Sequence, residues 1–408
     1  MSHTLKRFFS KIYDRTYQSV ARNIVMPLMN YHEPEKFLGA DTLLNIADIL
    51  RAEEKGHPMI VTTDGMVRRG QLEDLLQSLN EAGIQHTIFS DVEPNPSVAS
   101  IEKIADAYKK NGCDAIVAVG GGSVLDASKL GGARIGNPNK TLRKMAGILK
   151  VKKQPPLLIC VPTTAGTGSE VTLAAVFTDG HDKLSVMDTK LIPDFAILDP
   201  MLHVTLPKKL TAGTGMDALT HAVESYLSKT RTDQTIADAR EAVLLISQHL
   251  RTAYHEGEDA AAREQMLLAS YLAGRAFSRS YVGYIHALSH PLSAYYGLPH
   301  GQTNATIMPI MLRFYGEPVH DRLAELAKLI GLEGNSEAAL AEAFIRWIEA
   351  MNKELGIAEH IPEIRDDDIE PMVDHAIREA HPLYPVPVHF IKPDLIEAYH
   401  IIRGDHDA

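Results

Sequence analysis

Cysteine is nearly absent: the 408 residues hold only Cys113 and Cys160. Both fall in apolar runs read as buried strands, which argues against a disulfide framework and for a reducing, cytoplasmic setting. Positive charge is outnumbered, with 41 Lys and Arg against 52 Asp and Glu, a formal net charge of -11. That balance speaks against a nucleic-acid partner, which needs a basic footprint. No apolar run approaches the roughly 18 residues of a membrane-spanning helix. Low-complexity segments and short-period repeats are missing too. What is present is a globular composition, 45% hydrophobic and 23% charged, in a chain long enough for about two domains.

One stretch lacks charge altogether. "GYIHALSHPLSAYYGLPHGQ" (283–302) has no Asp, Glu, Lys or Arg, yet carries His286, His290 and His300. A single histidine in such surroundings is usually a core residue with one hydrogen bond. Three of them ask what else the chain brings to the same place.

The first half alternates strand and helix. "PMIVTT" (58–63), "QHTIFS" (85–90), "CDAIVAVGGGS" (113–123), "PPLLICVPTT" (155–164) and "FAILDP" (195–200) read as strands. Helical stretches over 70–82, 97–111 and 123–131 lie between them. Such alternation predicts βαβ units and a mostly parallel sheet. Beyond about residue 207 only helical periodicity remains. The division expected is an N-terminal extension over 1–36, an α/β domain over 37–206 and an all-helical domain over 207–408. Ligands often bind between such domains.

The extension reads as an amphipathic helix. Leu5, Phe8, Phe9, Ile12, Val20 and Ile24 recur at helical spacing, with Lys6, Arg7, Lys11, Arg15 and Arg22 between them. Packing on the protein itself or on a second subunit is favoured. Contact with an anionic membrane, or a transit-peptide role, is the alternative.

"AIVAVGGGSVLDASK" has the form strand, triple glycine, helix. Gly120, Gly121 and Gly122 let the backbone turn tightly and approach a ligand. Ser123 is placed to cap the helix, with Asp126 at the capping-box position. A helix N-terminus after such a turn suits a pyrophosphate, although an isolated glycine turn serves geometry alone equally well. It is neither G-x-G-x-x-G nor a Walker A sequence. A second polar turn, "PTTAGTGSEVT" (162–172), offers Thr163, Thr164, Thr167 and Ser169. Two such turns after successive parallel strands are better support than one. Asp64, ending "MIVTTDG", can bind ribose hydroxyls and repel a 2′-phosphate, favouring NAD; the alternative is an ordinary turn aspartate.

Asp217 and His221 in "GMDALTHAVES" are spaced i, i+4, so both face one side of a helix. His286 and His290 repeat that spacing, and His300 follows between Pro299 and Gly301. One carboxylate with two or three imidazoles suits Fe²⁺ or Zn²⁺. An uncharged neighbourhood would keep the imidazoles neutral.

In "GGGSVLDASK", "PTTAGTGSEVT", "GTGMDALTHAVESYLS" and "HALSHPLSAYYGLPHGQTNA" the chain resembles the iron-containing, or group III, alcohol dehydrogenases from about residue 37 onward. The resemblance implies a Rossmann-like dinucleotide-binding domain followed by a helical metal-binding domain, the architecture shared with dehydroquinate synthase. It implies that Asp217, His221, His286 and His300 hold the metal, with His290 as proton relay near the nicotinamide. Gly121, Gly122 and Ser123 would bind the pyrophosphate, Asp64 the adenosine ribose, and Thr163, Thr164 and Thr167 would line the cofactor site. Lys183 in "HDKLSV" matches a lysine near the nicotinamide ribose, and Asp126 is counted with the cofactor residues. A homodimer or larger homo-oligomer is also implied. The chain departs from the family at Arg279 and Tyr281 in "GRAFSRSYVGYIH", and at "LYPVPVHF" near the C-terminus. These departures bear on the substrate.

The expected activity is hydride transfer between a primary alcohol and NAD, with Fe²⁺, or Zn²⁺, polarising the alcohol oxygen. Two alternatives stay open: a lyase of the dehydroquinate synthase type, and a non-catalytic NAD- or metal-binding protein. The first requires basic residues for a substrate phosphate, and 283–302 contains none.

Overall fold

The computed structural model describes residues 3–20, 31–180 and 182–406. Arg22 and Ile24, part of the expected N-terminal helix, lie outside them. The described chain falls into two compact units. One comprises 31–207 and 255–274; the other comprises 3–20, 208–254 and 275–406. The chain enters through α1 (His3–Val20), which belongs to the second unit.

The first unit is α/β. Its strands are β1 (Glu35–Leu38), β2 (Pro58–Val61), β3 (Thr87–Phe89), β4 (Ala115–Gly120), β5 (Gly147–Ile148), β6 (Leu157–Pro162), β7 (Ala174–Asp179), β8 (Asp182–Met187) and β9 (Phe195–Leu198). Six form a parallel sheet in the order β1-β9-β6-β4-β2-β3. All six residues of β4 are buried, as expected of a central parallel strand covered on both faces. Ile116 and Ala118 pack into one apolar layer with Ile101 and Leu125; Val117 and Val119 pack into the other with Ile46 and Leu75. That alternation is the two-residue period of a strand. The first layer is built on α3 (Val98–Asn111) and α4 (Gly122–Gly136), while the short α2 (Asp64–Arg68) follows β2.

Five of the six parallel strands fall in the runs read as strands. The sixth, β1, is an edge strand whose sequence "EKFL" begins with two exposed charged residues, so it carries no apolar run. A small sheet, β5-β8-β7 with β7 and β8 antiparallel, was also not anticipated. Its strands are short and mostly half-buried, with β7 alternating over 174–177, and contain no long apolar segment. Cys160 lies within β6, whereas Cys113 precedes β4; both are free and buried.

The second unit is helical. Its elements include α5 (Lys208–Leu227), α6 (Asp233–His255), the last residues of α7 (Ala260–Ser280), α8 (Tyr284–Tyr296), α9 (His300–Tyr315), α10 (Asp366–Ala380) and α11 (Lys392–Arg403). From Gly215 to Leu227 every residue of α5 is buried, which marks a helix enclosed by others. α9 packs on α5 and α8, and α8 packs on α10. At Gly301 a Cβ would lie 2.3 Å from the Gly213 carbonyl oxygen, so the lack of a side chain there lets α9 reach the α5 backbone.

α1 rests on its own unit. Arg15 Nη2 donates to the Val386 carbonyl at 2.6 Å, and Gln18 Nε2 donates to the carbonyls of Tyr384 (2.8 Å) and Pro382 (3.0 Å). Among the described residues no helix is long and apolar enough to cross a membrane.

Candidate functional site

The helical unit gathers the acid and histidines singled out above. α5 supplies Asp217 and His221, one turn apart; α8 supplies His286 and His290; His300 is the first residue of α9. Ligand atoms of Asp217, His221 and His286 lie within 4.8 Å of one another, and all three residues are buried. The His221 ring stacks between Phe277 (4.3 Å) and His286 (4.6 Å). His300 joins them, its Nε2 3.8 Å from Asp217 Oδ1 and its ring 5.3 Å from that of His286.

Asn304, one turn along α9 from His300, marks where these groups point. Its Nδ2 lies 2.8 Å from Asp217 Oδ1, 3.1 Å from His286 Nε2 and 3.1 Å from His300 Nε2. Three lone pairs thus converge on one amide nitrogen, which carries only two hydrogens. The Asn304 Oδ1 is buried without a hydrogen-bond partner. Acceptors focused on one point are the donor set of a cation site, and carboxylate plus imidazoles fit a first-row divalent ion.

Glu224 holds this arrangement from behind. It follows His221 by three residues on α5, is buried, and its Oε2 accepts from His286 Nδ1 at 2.6 Å. Its Oε1 accepts the Ile285 N–H at 2.8 Å. With its proton on Nδ1, His286 presents the Nε2 lone pair to the cluster, the usual state of a ligating histidine. Burial, the largest single effect, disfavours protonating His286, but the Glu224 hydrogen bond together with the charges of Glu224, Asp217 and Glu379 outweighs it and raises the pKa. A Cβ at Gly283 would stand 2.7 Å from Glu224 Oε1, so glycine there makes room for the carboxylate.

His290 has its own carboxylate. Its Nδ1 donates to Glu379 Oε1 at 2.6 Å, and the Tyr384 hydroxyl donates to the same oxygen at 2.6 Å. Burial alone would raise the Glu379 carboxyl. The charge and hydrogen bond of His290, with Tyr384 and His375, bring it below the ordinary glutamate value. Held this way, His290 keeps Nε2 as its basic nitrogen. Its ring stacks 5.0 Å from that of His300.

The α/β unit arranges the other set. β2, β4 and β6 are neighbours, so the turns after them share the C-terminal edge of the sheet. The two glycine-rich turns are fitted to each other: a Cβ at Gly122 would lie 2.7 Å from Thr167 Cγ2, and one at Gly121 3.4 Å from Thr164. The Thr163 N–H donates to the Gly120 carbonyl at 3.0 Å. Asp64 opens α2 rather than ending β2; its carboxylate is exposed and paired with Arg68. Lys183 lies on β8 opposite Thr178.

The expected cap is not formed. The cap position falls two residues earlier, with Gly121 as N-cap of α4 and no side-chain cap. Ser123 therefore sits inside the first turn, and its Oγ accepts the Asn95 N–H at 3.3 Å. Asp126 turns away to accept from Ser169 Oγ (2.6 Å) and the Val176 N–H (3.0 Å), tying the two glycine-rich segments and β7 together. The end of α4 is thus free of protein caps, which keeps its N–H groups available to an anion. Of the departures noted above, Tyr281 has φ 61°, a left-handed conformation rare for a bulky residue. Burial pushes its hydroxyl up to about 12.

Three residues were missed by sequence reasoning. Glu224 was within reach, since Asp217, His221 and Glu224 share one helix face at i, i+4 and i+7. Asn304 repeats the i, i+4 relation with His300. Glu379 lies 89 residues from its partner, and no local pattern announces it.

Residues 34–200 match the family described as iron-containing alcohol dehydrogenase, and residues 211–402 match its C-terminal domain. The NAD-dependent methanol dehydrogenase of Bacillus methanolicus is 36% identical, over 85% of this chain and 92% of its own length. The 1,3-propanediol dehydrogenase of Klebsiella pneumoniae is 37% identical, over 79% and 85%. The solved alcohol dehydrogenase from Oenococcus oeni superposes with a TM-score of 0.88 at 33% identity, covering 92% of this chain and all of that one. With a parallel sheet edged by glycine turns in one unit and a focused Asp-His cluster in the other, the chain belongs to the iron-containing alcohol dehydrogenases, metal-dependent enzymes that exchange hydride between alcohols and a nicotinamide cofactor.

Proposed function

We propose that this chain oxidises small primary alcohols with NAD, and reduces the matching aldehydes, at a centre held by Asp217, His221, His286 and His300. The observation that carries this reading is the convergence of Asp217, His286 and His300 on Asn304 Nδ2. The metal-binding part is assigned to residues 207–408 and the dinucleotide-binding part to 37–206.

When bound, Fe²⁺ or Zn²⁺ supplies Lewis acidity at the alcohol oxygen, and the nicotinamide supplies the hydride acceptor. The protein's own residues do the rest. Glu224 fixes the tautomer and angle of His286. His290, aligned by Glu379, offers Nε2 as the atom that takes the alcohol proton toward solvent. Gly121 and Gly122 keep the uncapped start of α4 open to a pyrophosphate, backed by Thr164 and Thr167. Asp64 favours ribose hydroxyls over a 2′-phosphate, hence NAD over NADP. Thr163, Ser123 and Lys183 complete the cofactor surface, while Asp126 braces the two glycine-rich segments from behind. The names of the methanol and propanediol relatives support a small, uncharged substrate. Two free buried thiols support a cytoplasmic setting, and the family resemblance supports a homo-oligomer.

The test is anaerobic. The protein is stripped with chelator, reloaded with Fe²⁺ or Zn²⁺, and NADH absorbance is followed over a panel of alcohols and aldehydes beside His286→Ala. Turnover restored by metal and absent in the variant is expected. NAD binding with no reaction of any alcohol under either metal would overturn the reading.

A further inference from the structure

A second group of ligand-type side chains lies apart from the centre just described. Asp14 of α1, His381 just after α10 and His389 just before α11 bring one carboxylate oxygen and two imidazole nitrogens within 4.8 Å of one another. Asp14 Oδ2 is 2.5 Å from His381 Nδ1 and 2.8 Å from His389 Nε2. The two rings meet edge to face, 4.6 Å apart at 88°. Asp14 and His389 are only 4% and 6% exposed.

The surroundings of His381 bear on what sits between these atoms. Its Nε2 is 2.8 Å from the Tyr284 hydroxyl. That hydroxyl also accepts the Phe390 N–H at 3.1 Å and donates to the Phe390 carbonyl at 3.3 Å. The Tyr284 proton has two acceptors in reach, His381 Nε2 and the Phe390 carbonyl; when it lies on the carbonyl, His381 donates from Nε2. Its Nδ1 lone pair then faces a carboxylate oxygen at hydrogen-bond distance. Two acceptors placed so closely need a cation between them, a metal ion or a proton. A metal-bound imidazole whose other nitrogen donates to a protein oxygen is the recurrent outer contact of a zinc site.

Charge points the same way. Neutral imidazoles leave the buried Asp14 carboxylate with the neighbouring Arg15 guanidinium, itself engaged by Gln18 and the Val386 carbonyl, as its positive charge, and a buried charge is costly unless paired. One carboxylate and two imidazoles are a zinc-type donor set.

We propose that Asp14, His381 and His389 form a second metal site, taking Zn²⁺, that fastens α1 to the segment linking α10 and α11. The site joins side chains far apart in sequence, Asp14 and His381 being 367 positions from each other. Its role is structural and lies outside the alcohol chemistry.

Stoichiometry tests this on the full-length protein. Stripped wild-type enzyme is titrated with Zn²⁺ by calorimetry, and metal is counted after desalting. The result expected is a second equivalent per chain that survives His286→Ala and disappears in Asp14→Asn and in His389→Ala. A His389→Cys variant loaded with Co²⁺ adds a signature, because coordination there creates a sulfur-to-cobalt charge-transfer band. Folded wild-type protein that takes a single equivalent, lost in His286→Ala and kept in His389→Ala, overturns the site and leaves a proton between Asp14 and His381. That count on the wild type decides the matter even where a variant fails to fold.

Discussion

The Glu379 carboxylate, on α10, accepts a 2.6 Å hydrogen bond from Nδ1 of His290 on α8. It therefore sets both the ring angle and the proton position of the histidine assigned to proton transfer. Glu379→Gln keeps the shape and removes the charge. The expected result is a fall of about 10-fold or more in kcat with little change in the KM for NAD. Because the two act as a unit, the double variant with His290→Ala should lose hardly more than His290→Ala alone. Additive losses in this cycle would sink the pairing.

Glu224 stands behind His286 as Glu379 stands behind His290. Glu224→Gln should weaken metal binding roughly 10- to 100-fold, measured as Zn²⁺ competition with a chromophoric chelator. The Michaelis constant for NAD should stay put, since Glu224 lies in the helical unit. An unchanged metal affinity would mean that the 2.6 Å contact does not support ligation.

Gly301→Ala is expected to be severe. Its new Cβ would meet the Gly213 carbonyl oxygen at 2.3 Å and Asp217 Cβ at 3.1 Å. The first neighbour is backbone and cannot swing aside. α9 must then move off α5, carrying His300 and Asn304 from Asp217. Thermal melts should show a loss of about 2 kcal/mol or more, and metal content should fall with it. A variant with full metal content and an unchanged midpoint would contradict the close approach.

Glu170 gives the α/β unit a pH dependence. It is 1% exposed, and neither of its carboxylate oxygens has a hydrogen-bond partner. Burial raises its pKa to about 7 from an ordinary 4.5. The folded protein thus holds a proton that the unfolded chain releases in that window. The native state binds more protons there, so its stability falls as pH rises from about 4.5 through 7. Glu170→Gln removes the loss. Its advantage over wild type should be small near pH 5, grow as pH rises to about 7 and level off above that, toward an upper bound on the order of 3 kcal/mol. Parallel melting curves for the two proteins across that range would refute it.

How much of this was legible depended on the distance over which each signal acts. The glycine turns and the Asp217–His221 and His286–His290 spacings are local, so neighbours a few positions apart were enough to read the strands and helices and to single out the acid and histidines that the fold gathers. The cap of α4 was misplaced by two residues because Ser123 reads as a cap on its own. Only the fold places the Asn95 N–H beside it. β1 escaped notice because its first two residues are exposed and charged, although parallel pairing with β9 makes it a strand. Glu379 and Asp14 were invisible for a further reason. Each acts on a residue far along the chain, and a lone acid on an amphipathic helix looks like any solvated charge.

The position of α1 sets an order in time. This helix is made long before its fixed partners, from His381 to His389. The α/β sheet, by contrast, is complete by β9, about halfway along the chain. During synthesis that sheet can close while the opening helix still waits for its seat. The helical unit is finished only when α1 meets the segment linking α10 and α11, a long-range closure of the kind that slows folding.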